Sequence, residues 1–161
     1  MSGESERYVR DESDAARLDR NYSEQLQELR VAQAGVQILF AFLLGIAFQQ
    51  RFASISDFQR DVYVGTLLCA AISTVLFIAP VAVHRVMFRR HLKDELVEFT
   101  GGMAVGGLVF LALAMLGALL LIVDLVVGPV AAGIMTGAMA LLFGYFWYLL
   151  PMRWRGRTRE R

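Results

Sequence analysis

One acidic residue lies inside the longest apolar part of the chain. Asp124 is the only charged residue between Glu98 and Arg153, in the stretch LLLIVDLVVGP (119–129). A carboxylate within a bilayer can bind a cation or relay a proton, so it usually marks an ion site. However, the helix Met103–Val123 before it is about 31 Å long at the standard rise per residue. We therefore expect Asp124 at the membrane edge, and we favour a structural role over an ion site.

At the membrane edge, two structural environments are open to Asp124. Arg51 or Arg60 would supply an ion pair in the loop that is predicted on the same side. Alternatively, the carboxylate would lie beside the first turn of the fourth helix, where free N–H groups and the helix dipole favour an anion.

A polar stripe enters the first apolar run. Arg30, Gln33 and Gln37 recur at helical spacing on one face. An unsatisfied amide in hydrocarbon is costly, so this face must turn toward protein or water. It is either the wall of a polar pathway, working with Asp124, or a set of hydrogen bonds between helices. The second interpretation is favoured because glutamines commonly join membrane helices.

The sequence holds no set of residues typical of an enzyme. His84 and His91 are the only histidines, and zinc requires three or four converging ligands. No nucleophile elbow, phosphate-binding loop or dinucleotide fingerprint is present. We therefore predict a protein that is not an enzyme, with no cofactor, no metal and no nucleic-acid partner.

The elements that carry these residues are membrane helices. The chain has 161 residues, of which 57% are hydrophobic, too many for a soluble domain. Crossing a bilayer takes about 20 apolar residues, and four runs qualify, at about 29–50, 62–84, 100–123 and 129–151. We predict an all-α integral membrane four-helix bundle over 21–152. A polar acidic tail (1–20) precedes it, a basic tail (153–161) follows it, and the first helix begins near Tyr22.

The distribution of lysine and arginine predicts the orientation. Both tails and the second loop together hold fourteen such residues, whereas the first loop holds two and the third none. The positive-inside rule then places both termini in the cytoplasm, in the cytoplasmic membrane. The basic second loop, which includes Arg89, Arg90 and Lys93, is expected to meet anionic lipid headgroups on that side.

Glycines are concentrated in the third and fourth spans. Gly102 and Gly106 form one pair four residues apart, and Gly133 and Gly137 form another that Gly144 continues on the same face. Such faces let helix backbones approach closely, within a chain or between chains. They favour a homo-oligomer or a place in a larger membrane complex.

Three segments together resemble a known family. They are ELRVAQAGVQILFAFLL (28–44), IAPVAVHRVMFRR (78–90) and LLLIVDLVVG (119–128). In this order they resemble a family of small four-span actinobacterial membrane proteins of unknown function, and the similarity runs from about Ser23 to Gly128. The resemblance implies the same four-span architecture. Some members carry a sodium:proton antiporter label.

Two functions remain open on these grounds. The first is a non-enzymatic integral membrane protein that associates with itself or serves as an accessory subunit. The second is a small ion or proton transporter that uses Asp124 with Gln33 and Gln37.

Overall fold

The computed structural model describes residues 14–87, 93–150 and 152–153, and in these ranges the chain forms four long helices. They are α1 (Asp14–Ala47), α2 (Asp57–Met87), α3 (Lys93–Val126) and α4 (Pro129–Gly144). A short 3₁₀ helix, Gln50–Ser54, lies between α1 and α2, and a π-helical turn, Tyr145–Leu149, follows α4. The predicted all-α fold is confirmed.

Each of the four helices is long and apolar enough to cross a membrane. The candidate spans are Leu26–Ala47, Asp57–Val83, Thr100–Val126 and Pro129–Leu149. Large apolar side chains are exposed on every helix, for example Phe42, Val75 and Leu141. In water such a surface would aggregate, whereas in lipid it is the expected outer surface. The chain is therefore a multi-pass membrane protein.

The helix α2 runs antiparallel to both of its neighbours, α1 and α3. The Tyr63 hydroxyl of α2 donates a hydrogen bond to the Leu43 carbonyl oxygen of α1, at 3.0 Å. The Ser73 hydroxyl of α2 donates to the Gly107 carbonyl oxygen of α3, at 2.8 Å. The α2–α3 contact is the most extensive in the molecule. We call the end where α2 begins and α3 ends the Asp124 end, and the other the far end.

The core between α1, α2 and α3 repeats every seven residues. Its buried members are Leu29, Val36 and Leu43 on α1, Tyr63, Ala70 and Phe77 on α2, and Ala114 and Leu121 on α3. With antiparallel helices, this spacing gives three layers along the membrane normal. Leu43, Tyr63 and Leu121 form the layer nearest the Asp124 end, and Val36, Ala70 and Ala114 form the middle one. A seven-residue seam of this kind lets side chains of adjacent helices interdigitate.

The far layer packs the largest fully buried side chain of the described residues against a glycine. Phe77 is fully buried, and its ring lies against Gly107, the residue seven positions before Ala114. A Cβ built on Gly107 would lie 2.5 Å from Cε1 of Phe77. Glycine is required here because any side chain would occupy the place of the ring.

The fourth helix lies outside this three-helix core. α4 packs extensively on α3 alone, and Ala132 is the only buried residue of Pro129–Gly144. The link from α3 is a tight turn that ends at Gly128, where φ is +121°. Glycine adopts such a conformation without a steric penalty, and Pro129 suits the first position of the following helix. α4 thus folds back on α3 and leaves its other sides open.

The helices also begin earlier than the sequence indicated. α1 starts at Asp14, not near Tyr22, so it includes part of the predicted N-terminal tail. α2 starts at Asp57, ahead of the predicted first apolar residue, Val62. The first turns of both helices are polar, so a prediction based on runs of apolar residues leaves them out. In the second loop, α2 continues to Met87 and α3 begins at Lys93, while Arg89, Arg90 and His91 lie outside the described residues.

Candidate functional site

The structure places Asp124 near the end of α3, in contact with the start of α2. The Gln59 side chain donates a hydrogen bond from Nε2 to Oδ2 of Asp124, at 2.7 Å. The same amide accepts a hydrogen bond from the Ser56 backbone N–H through Oε1, at 3.0 Å. The Ser56 hydroxyl in turn accepts one from the Gln59 N–H, at 3.2 Å. Ser56 and Gln59 therefore form a capping box, and its side-chain amide also holds Asp124.

This arrangement places the carboxylate where an anion is stabilised. Gln59 is in the first turn of α2, and the free N–H groups and dipole of that turn favour negative charge nearby. The hydrogen bond to an ionised acceptor is also stronger than one between neutral groups. Asp124 is half-buried. Its contact with Gln59 joins the beginning of α2 to the end of α3.

The ion pair that the sequence suggested for Asp124, with Arg51 or Arg60, is not formed among the described residues. The guanidinium of Arg60 pairs with Asp57, at 3.0 Å, on the exposed surface of α2. Arg51 is exposed in the 3₁₀ helix and makes no ion pair within the described residues. The residue before α4 is Gly128, and no side chain caps that helix. The carboxylate lies by the first turn of α2, because α2 and α3 are antiparallel neighbours.

The polar residues of α1 are far from Asp124. The Tyr63–Leu43 hydrogen bond fixes the register of α1 and α2, and it places Gln59 level with the end of α1 at Ala47. From that level, Gln37 lies about 15 Å toward the far end and Gln33 about 20 Å toward it, at 1.5 Å per residue. Gln37 is exposed and Gln33 is half-buried, beside the fully buried Val36. The structure therefore does not bring the candidate pathway residues together.

Between the level of Asp124 and that of Gln37, the core of α1, α2 and α3 is apolar or closed by internal hydrogen bonds, whereas on α4 the buried Thr136 hydroxyl has no hydrogen-bond partner among the described residues. The middle layer consists of Val36, Ala70 and Ala114, all fully buried. The buried hydroxyl of Ser73 donates to a backbone carbonyl oxygen, and that of Thr66 donates to the Val62 carbonyl oxygen, at 2.7 Å. Threonine and serine in helices commonly bond in this way. In the described part of the chain, no three His, Cys, Asp or Glu residues converge to hold a metal ion.

The predicted helix-packing glycines have different environments. Gly106 approaches Leu76, with a built Cβ at 3.4 Å from Cδ1, whereas no atom of the described side chains lies within 4 Å of one built on Gly102. Gly133, Gly137 and Gly144 also have no atom within that distance. Within one chain, these four glycines do not mediate a close helix contact.

Three residues that the sequence did not single out carry the closest contacts. Gln59 was recognisable from the Ser56–Gln59 spacing, which is that of a capping box. Gly107 lies against Phe77, and a Cβ on Gly117 would overlap Oγ1 of Thr66. Nothing local distinguishes these two glycines from their neighbours. The seven-residue series Gly107, Ala114, Leu121 is the signal that would have found the first.

Comparison with known proteins gives a family and no function. The model of a family of unknown function (DUF6328) matches residues 11–151, a longer stretch than the resemblance read from three segments. No curated protein and no solved structure matches the chain.

Proposed function

This chain belongs to DUF6328, a family of unknown function, and we propose that it is a non-enzymatic membrane protein that works by assembly. It associates with copies of itself or serves as an accessory subunit of a larger membrane complex. Its described residues bring no carboxylate, amide or hydroxyl groups together in an enclosed polar site. Its outer surface, by contrast, includes a row of small exposed residues on α4 that suits packing against another helix.

The observation that carries this proposal is the position of α4. The helix is held on one side by α3, and Ala132 is its only buried residue. Gly133, Gly137 and Ala140 lie exposed along another side. These small side chains leave a shallow groove along α4. A second helix can bring its backbone close to this groove and pack against it. The number of chains per particle in lipid, for wild type and for Gly137→Leu, tests the proposal.

The alternative function is a small ion or proton transporter that uses Asp124 with Gln33 and Gln37. It is favoured by the sodium:proton antiporter label of some members of the family that the sequence resembles. Transporters place their ion-binding groups near the middle of the membrane, at broken helices. Here the carboxylate is at a helix end and the amides are about 15 Å or more away along the membrane normal. We therefore rank transport second.

The Asp124 substitutions separate the two functions. In Asp124→Asn the amide oxygen still accepts from Gln59, so we expect a stability loss of only about 1 kcal/mol. Gln59→Glu places two carboxylates together and should cost more, because like charges repel. Adding Asp124→Asn to Gln59→Glu should recover stability, since donor and acceptor are then exchanged. Thermal unfolding in detergent measures all three variants.

Proton and sodium flux into reconstituted vesicles is measured on the same proteins. The assembly function predicts that wild type and Asp124→Asn both match protein-free vesicles. Wild-type flux that disappears in a stable Asp124→Asn variant would establish the transporter instead.

The proposed orientation has both termini in the cytoplasm, in the cytoplasmic membrane. It is supported by the fourteen lysines and arginines of the tails and second loop, against two in the first loop. A reporter fused after Arg161 should then be cytoplasmic, and one inserted at Ser56 should be outside. In this orientation the basic second loop meets anionic lipid headgroups. A cytoplasmic Ser56 reporter would reverse the assignment.

A further inference from the structure

The amide of Gln37 lies in the middle of the membrane. The α1 span is Leu26–Ala47, so Gln37 is about 15 Å from either end at 1.5 Å per residue. It also follows Val36, which belongs to the middle of the three core layers. A glutamine side chain spans only a few ångströms, so this amide reaches neither headgroup region. Its surroundings are hydrocarbon or protein.

The structure leaves this amide without a partner. Gln37 is exposed on the outside of the three-helix core. Within residues 14–87, 93–150 and 152–153, its side chain makes no hydrogen bond. A carboxamide with two donors and one acceptor group in hydrocarbon is strongly destabilising. Membrane helices place such a group against another helix, where its hydrogen bonds are satisfied.

The residues around Gln37 fit a closely approaching helix. Ala34, Gln37, Ala41 and Leu44 follow one another at intervals of three and four residues, and all four are exposed. We call them the Gln37 seam. The interval is that of a left-handed helix pair, and alanine on both sides of the amide lets a second backbone come within hydrogen-bonding reach. Toward the far end, Arg30 continues the seam with a side chain long enough to reach headgroups.

We propose that the Gln37 seam is the contact between two copies of this chain. The inference rests on the proposed assembly function and adds the surface and the partner. Two copies inserted in the same direction place Gln37 at the same depth, so a two-fold axis along the membrane normal brings the two amides together. Each carboxamide then donates to and accepts from the other. This self-complementarity is what a two-fold interface requires.

Cysteine cross-linking in lipid vesicles tests this geometry. In a Cys69→Ser background, Ala34→Cys and Ala41→Cys place thiols on the seam. Val31→Cys and Phe42→Cys serve as matched controls, because both side chains are exposed on other sides of α1. A disulfide requires Cα atoms within about 7 Å, so we expect oxidised dimers for the first two variants and little for the controls. Equal cross-linking at all four positions would indicate random collision and overturn the proposal.

The energetic test is Gln37→Leu, with Phe42→Leu as the control. Dimerisation of fluorescently labelled chains is followed by energy transfer as the protein is diluted in lipid. Hydrogen bonds between membrane helices predict a dissociation constant raised roughly three- to thirty-fold in Gln37→Leu. The control should stay at the wild-type value.

Different results would contradict the proposed function and the Gln37 seam. A wild-type chain that stays single at every dilution would overturn the self-association form of the proposed function. A wild-type oligomer without cross-links at positions 34 and 41, or with unchanged affinity in Gln37→Leu, would overturn the seam alone.

Discussion

Gly107→Leu is expected to destroy the packing of α2 against α3. A Cβ alone at this position would lie 2.5 Å from Cε1 of Phe77, a side chain with no exposed surface. The Phe77 ring is fully buried, so leucine is accommodated only if the helices separate or the ring leaves its place in the core. Separation would also break the hydrogen bond from the Ser73 hydroxyl to the Gly107 carbonyl oxygen. Overpacking of this size costs about 3 kcal/mol or more.

Unfolding in mixed detergent micelles measures this loss, and Gly102→Leu is the control. Gly102 lies on the same helix, and no atom is within 4 Å of a Cβ built there, so its variant should unfold with wild type. Adding Phe77→Ala to Gly107→Leu should recover part of the stability, because volume returns to the core. Equal stability of Gly107→Leu and wild type would show that α2 and α3 do not pack in this register.

Gly137→Leu is expected to act on assembly and leave the single chain intact. No atom lies within 4 Å of a Cβ at this exposed position, so leucine fits in the monomer without a clash. Between chains it would hold the backbones apart at the groove formed with Gly133 and Ala140. We expect association through α4 to weaken roughly tenfold or more, seen as fewer chains per particle or lower recovery of a co-purifying membrane protein.

Ala138→Leu is the matched control for this substitution. Ala138 is also exposed on α4, on the neighbouring side of the helix, and it gains a side chain of the same size. It should assemble as wild type does, and both variants should keep the wild-type melting temperature. Unchanged assembly in Gly137→Leu would mean that the glycine side of α4 faces lipid.

The membrane spans and the position of Asp124 along its helix were predictable because they depend on length and hydropathy alone. Four apolar runs gave four helices, and the number of residues before Asp124 placed it at a helix end. Both follow from the fixed rise of a helix and the fixed thickness of a bilayer. The partners of Asp124 were not predictable in this way. They depend on which helices are neighbours, and Gln59 is far from Asp124 in the sequence.

The side that each helix turns to its neighbours was also hidden in the sequence. In a soluble helix, polar residues mark the outer side. The membrane span of α3, Thr100–Val126, is apolar on every side apart from Asp124, so its lipid-facing and core-facing residues have the same character. Gly106 and Gly107 are indistinguishable without knowing that Ala114 and Leu121 point to the core. Gln37 is the opposite case, since its polarity was evident, and only the fold showed that it lies outside the three-helix core.

The number of wild-type chains per particle in lipid tests the central claim most directly. Stepwise photobleaching of labelled chains in dilute vesicles counts them, and flux into the same vesicles is recorded alongside. We expect two or more chains per particle and no proton or sodium flux above that of protein-free vesicles. Single chains at every density, with a flux that Asp124→Asn abolishes, would contradict it.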